Sequence, residues 1–176
     1  MKKLLLSLSL TCLAATPAYT QMVNPNKPFT TLSSEPGWYS QTEIAAGFGL
    51  GETEPDYSAS FIGLTEIGGF QFTKNINAGL GTGLLFYNGG TMMPFFIDFR
   101  YKFDAKTVTP YMFEQAGALL RFDSFKDSKV FVTLGGGAQY AITRRMAVNL
   151  GVGLMLQSQT SRDSFVTLRG GFTYMF

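Results

Sequence analysis

The 176-residue sequence predicts an all-β protein: an eight-stranded antiparallel up-and-down transmembrane β-barrel. Three observations carry this expectation. From Trp38 onward apolar residues recur with a period of two rather than 3.6. The alternating segments number eight and run about ten residues each, the length a tilted strand needs to cross a bilayer. The composition is 45% hydrophobic and 15% aromatic but only 15% charged, against roughly 25% charged in ordinary soluble domains.

The elements follow in order. Lys2 and Lys3 head a short apolar stretch, Leu4–Ala15, with small residues after it, which reads as a secretory signal over 1–20 and is too short for a permanent membrane anchor. Cleavage is expected after Thr20, with Ala18 as the alternative. Cys12, the only cysteine, falls inside this signal. It could instead head a lipoprotein, but Ser9-Leu10-Thr11 lacks the small residues expected before a lipidated cysteine. Loss of Lys2 and Lys3 from fourteen basic residues leaves twelve, balanced by twelve acidic ones, so no basic field for nucleic acid is expected. Residues 21–37 hold Pro25, Pro28 and Pro36 and are expected to form an extended periplasmic tail, with the barrel domain over 38–176.

Alternation is clearest in four segments. Trp38, Thr42, Ile44, Ala46, Phe48 and Leu50 share one face of 38–50, opposite Gln41, Glu43, Gly47 and Gly49. Phe95, Ile97, Phe99, Tyr101 and Phe103 alternate with Phe96, Asp98, Arg100 and Lys102. The same pattern runs through 147–157 and 165–176. Four further strands are predicted over 60–72, 76–87, 109–120 and 130–142, with Pro94 and Pro110 at strand starts, where a missing N–H is tolerated. Thr73–Asn75, Asp104–Thr107 and Thr143–Arg145 read as tight turns; Gly51–Ala59, Asn88–Met93, Arg121–Lys129 and Gln157–Ser164 read as longer loops. An internal echo supports the hairpins: Gly69-Phe70-Gln71-Phe72 recurs as Gly137-Ala138-Gln139-Tyr140.

Polarity separates this reading from a soluble sandwich or lipocalin-like barrel, whose apolar face would lie inside. Here the face rich in Gly, Asn, Gln and charge must be the lumen, and only a sheet without edges pairs all its backbone groups in hydrocarbon. Two aromatic girdles are expected: Trp38, Phe72, Phe103, Tyr111, Tyr140, Tyr174 and Phe176 at one end, Phe48, Phe61, Phe86, Phe95, Phe122 and Phe165 at the other. Glu66 breaks the pattern. Counting back from Phe72 puts it on the apolar face, so a bulge at Gly68-Gly69 is predicted to swing it inward.

The candidate site is the lumen. By alternation its charges are Glu43, Asp98, Glu114, Arg100, Lys102 and Arg169, three of each sign. Eight strands leave only enough width for side chains to fill, and buried charges must pair. A salt-bridged plug is therefore expected, with a narrow ion path as the alternative. Inward glycines (Gly79, Gly81, Gly83, Gly135, Gly137, Gly151, Gly153) are expected to make room for Arg and Lys opposite; their G-x-G spacing lacks the rest of a phosphate loop. The absence of His excludes imidazole-dependent catalysis and His-ligated metals. Glu52, Glu54 and Asp56, like Asp123 and Asp127, read as solvated loop acids; the first three could hold a divalent cation only weakly, and no cofactor is expected.

The chain ends Arg169-Gly170-Gly171-Phe172-Thr173-Tyr174-Met175-Phe176. This polar residue, glycine and alternating aromatics, with Phe last, resembles the insertion signal of bacterial outer-membrane barrels, Arg169, Gly171, Tyr174 and Phe176 being the residues that carry it. With the signal and Phe96–Phe103, residues 38–176 resemble small outer-membrane β-barrel proteins of the OmpA/OmpX-like superfamily. The resemblance implies an outer-membrane location among lipid, short turns on the periplasmic side, and insertion by the barrel-assembly machinery. It implies no peptidoglycan binding, since no soluble C-terminal domain follows. Short loops set the chain apart from adhesive members. The barrel enzymes of that compartment depend on a catalytic His, so no activity is implied. What remains is a non-enzymatic envelope barrel, with a small-solute pore or a membrane-anchored binding module as alternatives.

Overall fold

In the computed structural model, residues 31–50, 60–87, 89–104, 108–121, 128–158 and 162–176 are described. Eight strands form: β1 (Gly37–Gly49), β2 (Ser60–Gln71), β3 (Ile76–Tyr87), β4 (Gly90–Lys102), β5 (Val108–Arg121), β6 (Lys129–Ala141), β7 (Met146–Ser158) and β8 (Arg162–Met175). Each pairs antiparallel with its sequence neighbours, and β1 pairs β8, closing the barrel in the order β1 to β8.

The register fixes the shape. Following partners once around, Tyr39 leads through Gly69, Gly79, Asp98, Gln115, Thr133, Met155 and Phe165 to Gly49, ten residues further along β1. Such a stagger over eight strands corresponds to a tilt of about 35–45°. Strands of 12 to 14 residues then make a wall about 30 Å tall, slightly more than the apolar band of about 25 Å that such barrels present to lipid.

Alternation holds along the wall. Ile44, Ile62, Leu64, Leu80, Ile97, Leu134, Leu150, Leu154 and Leu168 face outward and are exposed. Trp38, Phe72, Tyr101, Phe103, Tyr140 and Phe176 form an exposed aromatic belt at the end where the tight turns lie; Phe48, Phe86 and Phe95 form a sparser one at the other. Three residues expected in the belts, Tyr111, Phe61 and Phe165, are buried inside instead, and Phe122 lies outside the described residues.

Three further expectations are corrected. β4 starts at Gly90, not near Phe95: Tyr87 pairs with Gly90, whose φ of +140° suits glycine, so only residues 88 and 89 join β3 to β4. Pro94 sits within the strand, and the β3–β4 register steps from Thr82↔Phe95 to Leu85↔Met92, passing over the residue that has no N–H. Between β7 and β8 only residues 159–161 intervene, so two of the four predicted longer loops are connections of two and three residues. There is no bulge at Gly68-Gly69; the β1–β2 register runs unbroken from Trp38↔Phe70 to Phe48↔Ser60, which leaves Glu66 on the outer face.

Candidate functional site: the filled lumen

Inward side chains stack in layers. Mid-barrel, β4 supplies Asp98 and Arg100 from one face of one strand, and β1 and β8 bring Glu43 and Arg169 across from the opposite side. Arg100 Nε donates to Asp98 Oδ2 (2.8 Å), and its Nη2 to Asp98 Oδ1 (3.1 Å) and Glu43 Oε1 (2.9 Å). Arg169 Nη1 donates to Glu43 Oε2 (3.3 Å) and to Gln115 Oε1; Gln115 Nε2 in turn donates to Asp98 Oδ1 (2.7 Å). Two guanidiniums and two carboxylates thus form one neutral, buried network, the arrangement in which ion pairs offset the cost of leaving water. Both guanidiniums lie over aromatic rings, Arg100 5.5 Å from Tyr111 and Arg169 5.1 Å from Phe113.

These rings explain the glycines. A Cβ on Gly151 would stand 2.9 Å from Tyr111 Oη, and one on Gly153 would stand 3.1 Å from Phe113 Cζ. Gly81 likewise gives way to Phe96 and Gly47 to Phe61. Gly81, Gly135, Gly137, Gly151 and Gly153 therefore accommodate aromatic rings rather than Arg and Lys directly, the guanidiniums resting on the rings of Tyr111 and Phe113, whereas Gly79 and Gly83 stand against Ile67 and Thr65 of β2.

Toward the turns the lumen is polar. Gln41 Nε2 donates to Glu43, Thr173 Oγ1 to Gln41 Oε1 (3.1 Å), and Asn149 Nδ2 to Thr173 (2.7 Å). Lys102 is buried but stands apart from the network, donating to Gln71 Oε1 (3.0 Å). The mouth is crossed by the described part of the tail: Gln71 Nε2 donates to the Ser33 and Glu35 carbonyls (both 2.9 Å), and Ser33 N donates to Arg144 O (2.8 Å). Leu32 packs against the buried apolar cluster. Toward the other end the lumen turns apolar, filled by Phe61, Leu85, Met92, Phe96, Leu119, Phe131, Met155 and Phe165. Above this layer Lys129 pairs with Asp163 (2.8 Å), and Gln157 Nε2 donates to Tyr87 Oη (2.8 Å).

Of the six predicted lumen charges, four meet in one network, Lys102 lies inside but outside that network, and Glu114 is corrected. Tyr111, Phe113 and Gln115 face inward, so Glu114 faces outward, opposite Phe99 and Leu134. Sequence reasoning placed Gln41 on the inner face but gave it no role, and it missed Gln115 and the Lys129–Asp163 pair. Tyr111 and Gln115 share a face, so reading Tyr111 as a belt residue sent Gln115 outward with it; alternation placed Phe96 inside but did not show how far the lumen is apolar.

Glu66 and Glu114 are two carboxyls on the outer wall. Glu66 is not bare: Ser40 Oγ donates to its Oε1 and Thr42 Oγ1 to its Oε2. Traced through the register, both stand near mid-height of the wall, level to within about one residue. Glu52, Glu54, Asp56, Asp123 and Asp127 lie outside the described residues. Among the described residues no helix is long and apolar enough to cross a membrane, which does not bear on strands.

The wall, the closure and the packed interior define a class, the small eight-stranded transmembrane β-barrel. The chain has the architecture of small outer-membrane barrels of known structure. Neisserial surface protein A superposes with a TM-score of 0.61 at 14% identity, covering 80% of this chain and 97% of that one. The N-terminal β-barrel domain of Pseudomonas aeruginosa OprF gives 0.53 at 16% identity (80% and 100%), and Pseudomonas aeruginosa outer membrane protein OprG gives 0.52 at 12% (80% and 96%). No protein-family model and no curated protein matches the sequence.

Proposed function

We propose that this protein is an integral outer-membrane barrel, exported by its N-terminal signal, that performs no chemistry and conducts no solute, and serves envelope structure or surface interaction. One observation carries the reading: two sealing layers of opposite chemistry fill the lumen, the Glu43–Asp98–Arg100–Arg169 network and the apolar layer beyond it. A path for ions or small solutes would need both of them to part. The tail offers no free binding arm over 31–36, where Ser33 and Glu35 are tied to the barrel's own mouth. Outer-membrane lipid is the partner of the apolar wall. The C-terminal strand, ending with Phe176 exposed and its N–H donating to Trp38 O (3.0 Å), is the segment offered to the barrel-assembly machinery by strand pairing.

Purified protein in planar bilayers tests the sealed lumen. The expected result is a bare-bilayer baseline; steady, reproducible channels would overturn the proposal in favour of a pore. Membrane placement is checked separately, by co-fractionation with the outer membrane and by altered gel migration of unboiled protein. Recovery in the soluble periplasm would refute it.

A further inference from the structure

Where the two lumen layers meet, the packing leaves a cavity of about 20 Å³. One side of it is polar, made by Thr65 from β2, Gln115 from β5 and Arg169 from β8. The other is apolar, closed by Phe61, Phe96 and Phe131, and all six side chains are buried. The protein itself does not use up the polar side. Among the described residues neither Arg169 Nε nor Thr65 Oγ1 meets a hydrogen-bond partner, although Arg169 is only 9% and Thr65 5% exposed. Gln115 gives one N–H to Asp98 and accepts from Arg169 Nη1, which leaves it a second N–H and a second lone pair. A buried cationic N–H without an acceptor costs more than a neutral one. Three strands thus bring that N–H, a hydroxyl and a spare amide to one enclosed space.

We infer that this cavity is a binding site for a single water molecule, held by Arg169 Nε, Thr65 Oγ1 and Gln115. Size and chemistry both select water. Its centre needs about 10–15 Å³ of free space, and the molecule needs about two to four polar partners. Here it accepts the Arg169 N–H and donates to the free lone pairs of Thr65 Oγ1 and Gln115 Oε1. An anion is disfavoured, because Glu43 and Asp98 already neutralise both guanidiniums and a further negative charge would be buried without a counterion. An apolar occupant would leave Arg169 Nε unpaired. Bound in this way, the water ties β2 to the network that already joins β1, β4, β5 and β8. The site is a dead end, since the rings beyond it offer water no hydrogen-bond partner, and the molecule stays rather than passing along the lumen. The inference rests on the closed lumen proposed above.

Magnetic relaxation dispersion of water oxygen, recorded on the purified full chain in detergent micelles, counts the waters that stay longer than the barrel takes to tumble. Ala45 lines the cavity, so Ala45→Val fills it with carbon. Thr65→Val replaces the hydroxyl by a methyl, and Thr65→Ser keeps it. The expected result is the loss of one long-lived water in Ala45→Val and in Thr65→Val, with Thr65→Ser at the wild-type count. Xenon tests for a dry cavity in the unmodified chain, whatever the variants do. The methyl resonances of Leu85 and Met155, both on the cavity wall, should not move when the protein is equilibrated with the gas. An equal water count in the wild type and a folded Ala45→Val barrel, xenon shifts at Leu85 and Met155, or shifts there that titrate with chloride would each overturn the proposal. Planar-bilayer recording tells the two readings apart: when the long-lived water is missing, a silent bilayer overturns this site alone, and steady channels overturn the closed lumen with it.

Discussion

Glu43→Gln removes one negative charge from the centre of the barrel and leaves the shape nearly unchanged. Glu43 is 2% exposed and is shared by two guanidiniums, at 2.9 Å from Arg100 and 3.3 Å from Arg169. In the variant, Asp98 alone faces both, and it is already engaged twice by Arg100 and once by Gln115. Arg169 then keeps only the neutral Gln115 oxygen and its place over Phe113. Breaking a buried pair from one side costs about 3–5 kcal/mol, because a charge is left in a low-dielectric site without its partner. Urea unfolding of the purified barrel in lipid vesicles, followed through Trp38, the only tryptophan, should show a loss of that size. Adding Arg169→Met restores neutrality, so the double variant should be well short of the sum of the singles, with a coupling of about 2 kcal/mol or more. A cost for Glu43→Gln below about 1 kcal/mol, or strict additivity, would refute the claim that these four residues act as one network.

Two other outcomes follow from particular contacts. Glu114 has only Phe99 and Leu134 opposite it on the outer wall, so Glu114→Leu should stabilise the folded barrel in bilayers by about 1–2 kcal/mol; an unchanged unfolding midpoint would mean that this face is not against lipid. At the exposed turns, hydrogen bonds from Lys74 Nζ (3.0 Å) and Asn75 Nδ2 (3.1 Å) hold the Asp104 carboxyl below the usual carboxylate range. Because the folded value is lowered, the contact contributes above the ordinary carboxylate range and is lost as pH falls through the lowered value. Lys74→Ala should return the Asp104 titration, read by NMR, toward an ordinary carboxylate; no movement would disprove the assignment.

Period two made the strands legible, the starts of β4 and β8 apart, because a wall with one face in lipid cannot slip by one position without exchanging its faces. Glu43, Asp98, Arg100, Lys102 and Arg169 came with it. The misplacements share a cause. β5 reads Tyr111-Met112-Phe113-Glu114-Gln115, mixed on both faces, and alternation with Tyr111 taken as a belt residue assigned Glu114 inward; the rings of Tyr111 and Phe113 occupy the lumen because Gly135, Gly151 and Gly153 on β6 and β7 leave them space. That complementarity lies between strands and has no local signature. Glu66 failed for a related reason. A bulge would have spared a lipid-facing carboxyl, but hydroxyls from Ser40 and Thr42 on β1 already satisfy it where it stands. Pro94 read as a strand start because its missing N–H is a local fact, whereas its tolerance within β4 depends on the Leu119 side of the ladder remaining paired.

The two layers in the lumen seal it in series and by different physics. The charged layer is held by mutual attraction, so opening it strands ions; the apolar layer is held by packing, so opening it wets Phe96, Phe131 and Phe165. A substitution that weakens one leaves the other intact. Phe96→Ala alone makes a cavity on the apolar side, yet the Arg100–Asp98–Glu43 pairs still close the path behind it; Arg100→Ala alone loosens the pairs while the rings stay in contact. Conductance is therefore expected from neither single variant and only from the double, an outcome that planar-bilayer recording reads directly. Steady channels from either single variant would show that one layer alone closes the barrel and that the other only fills space.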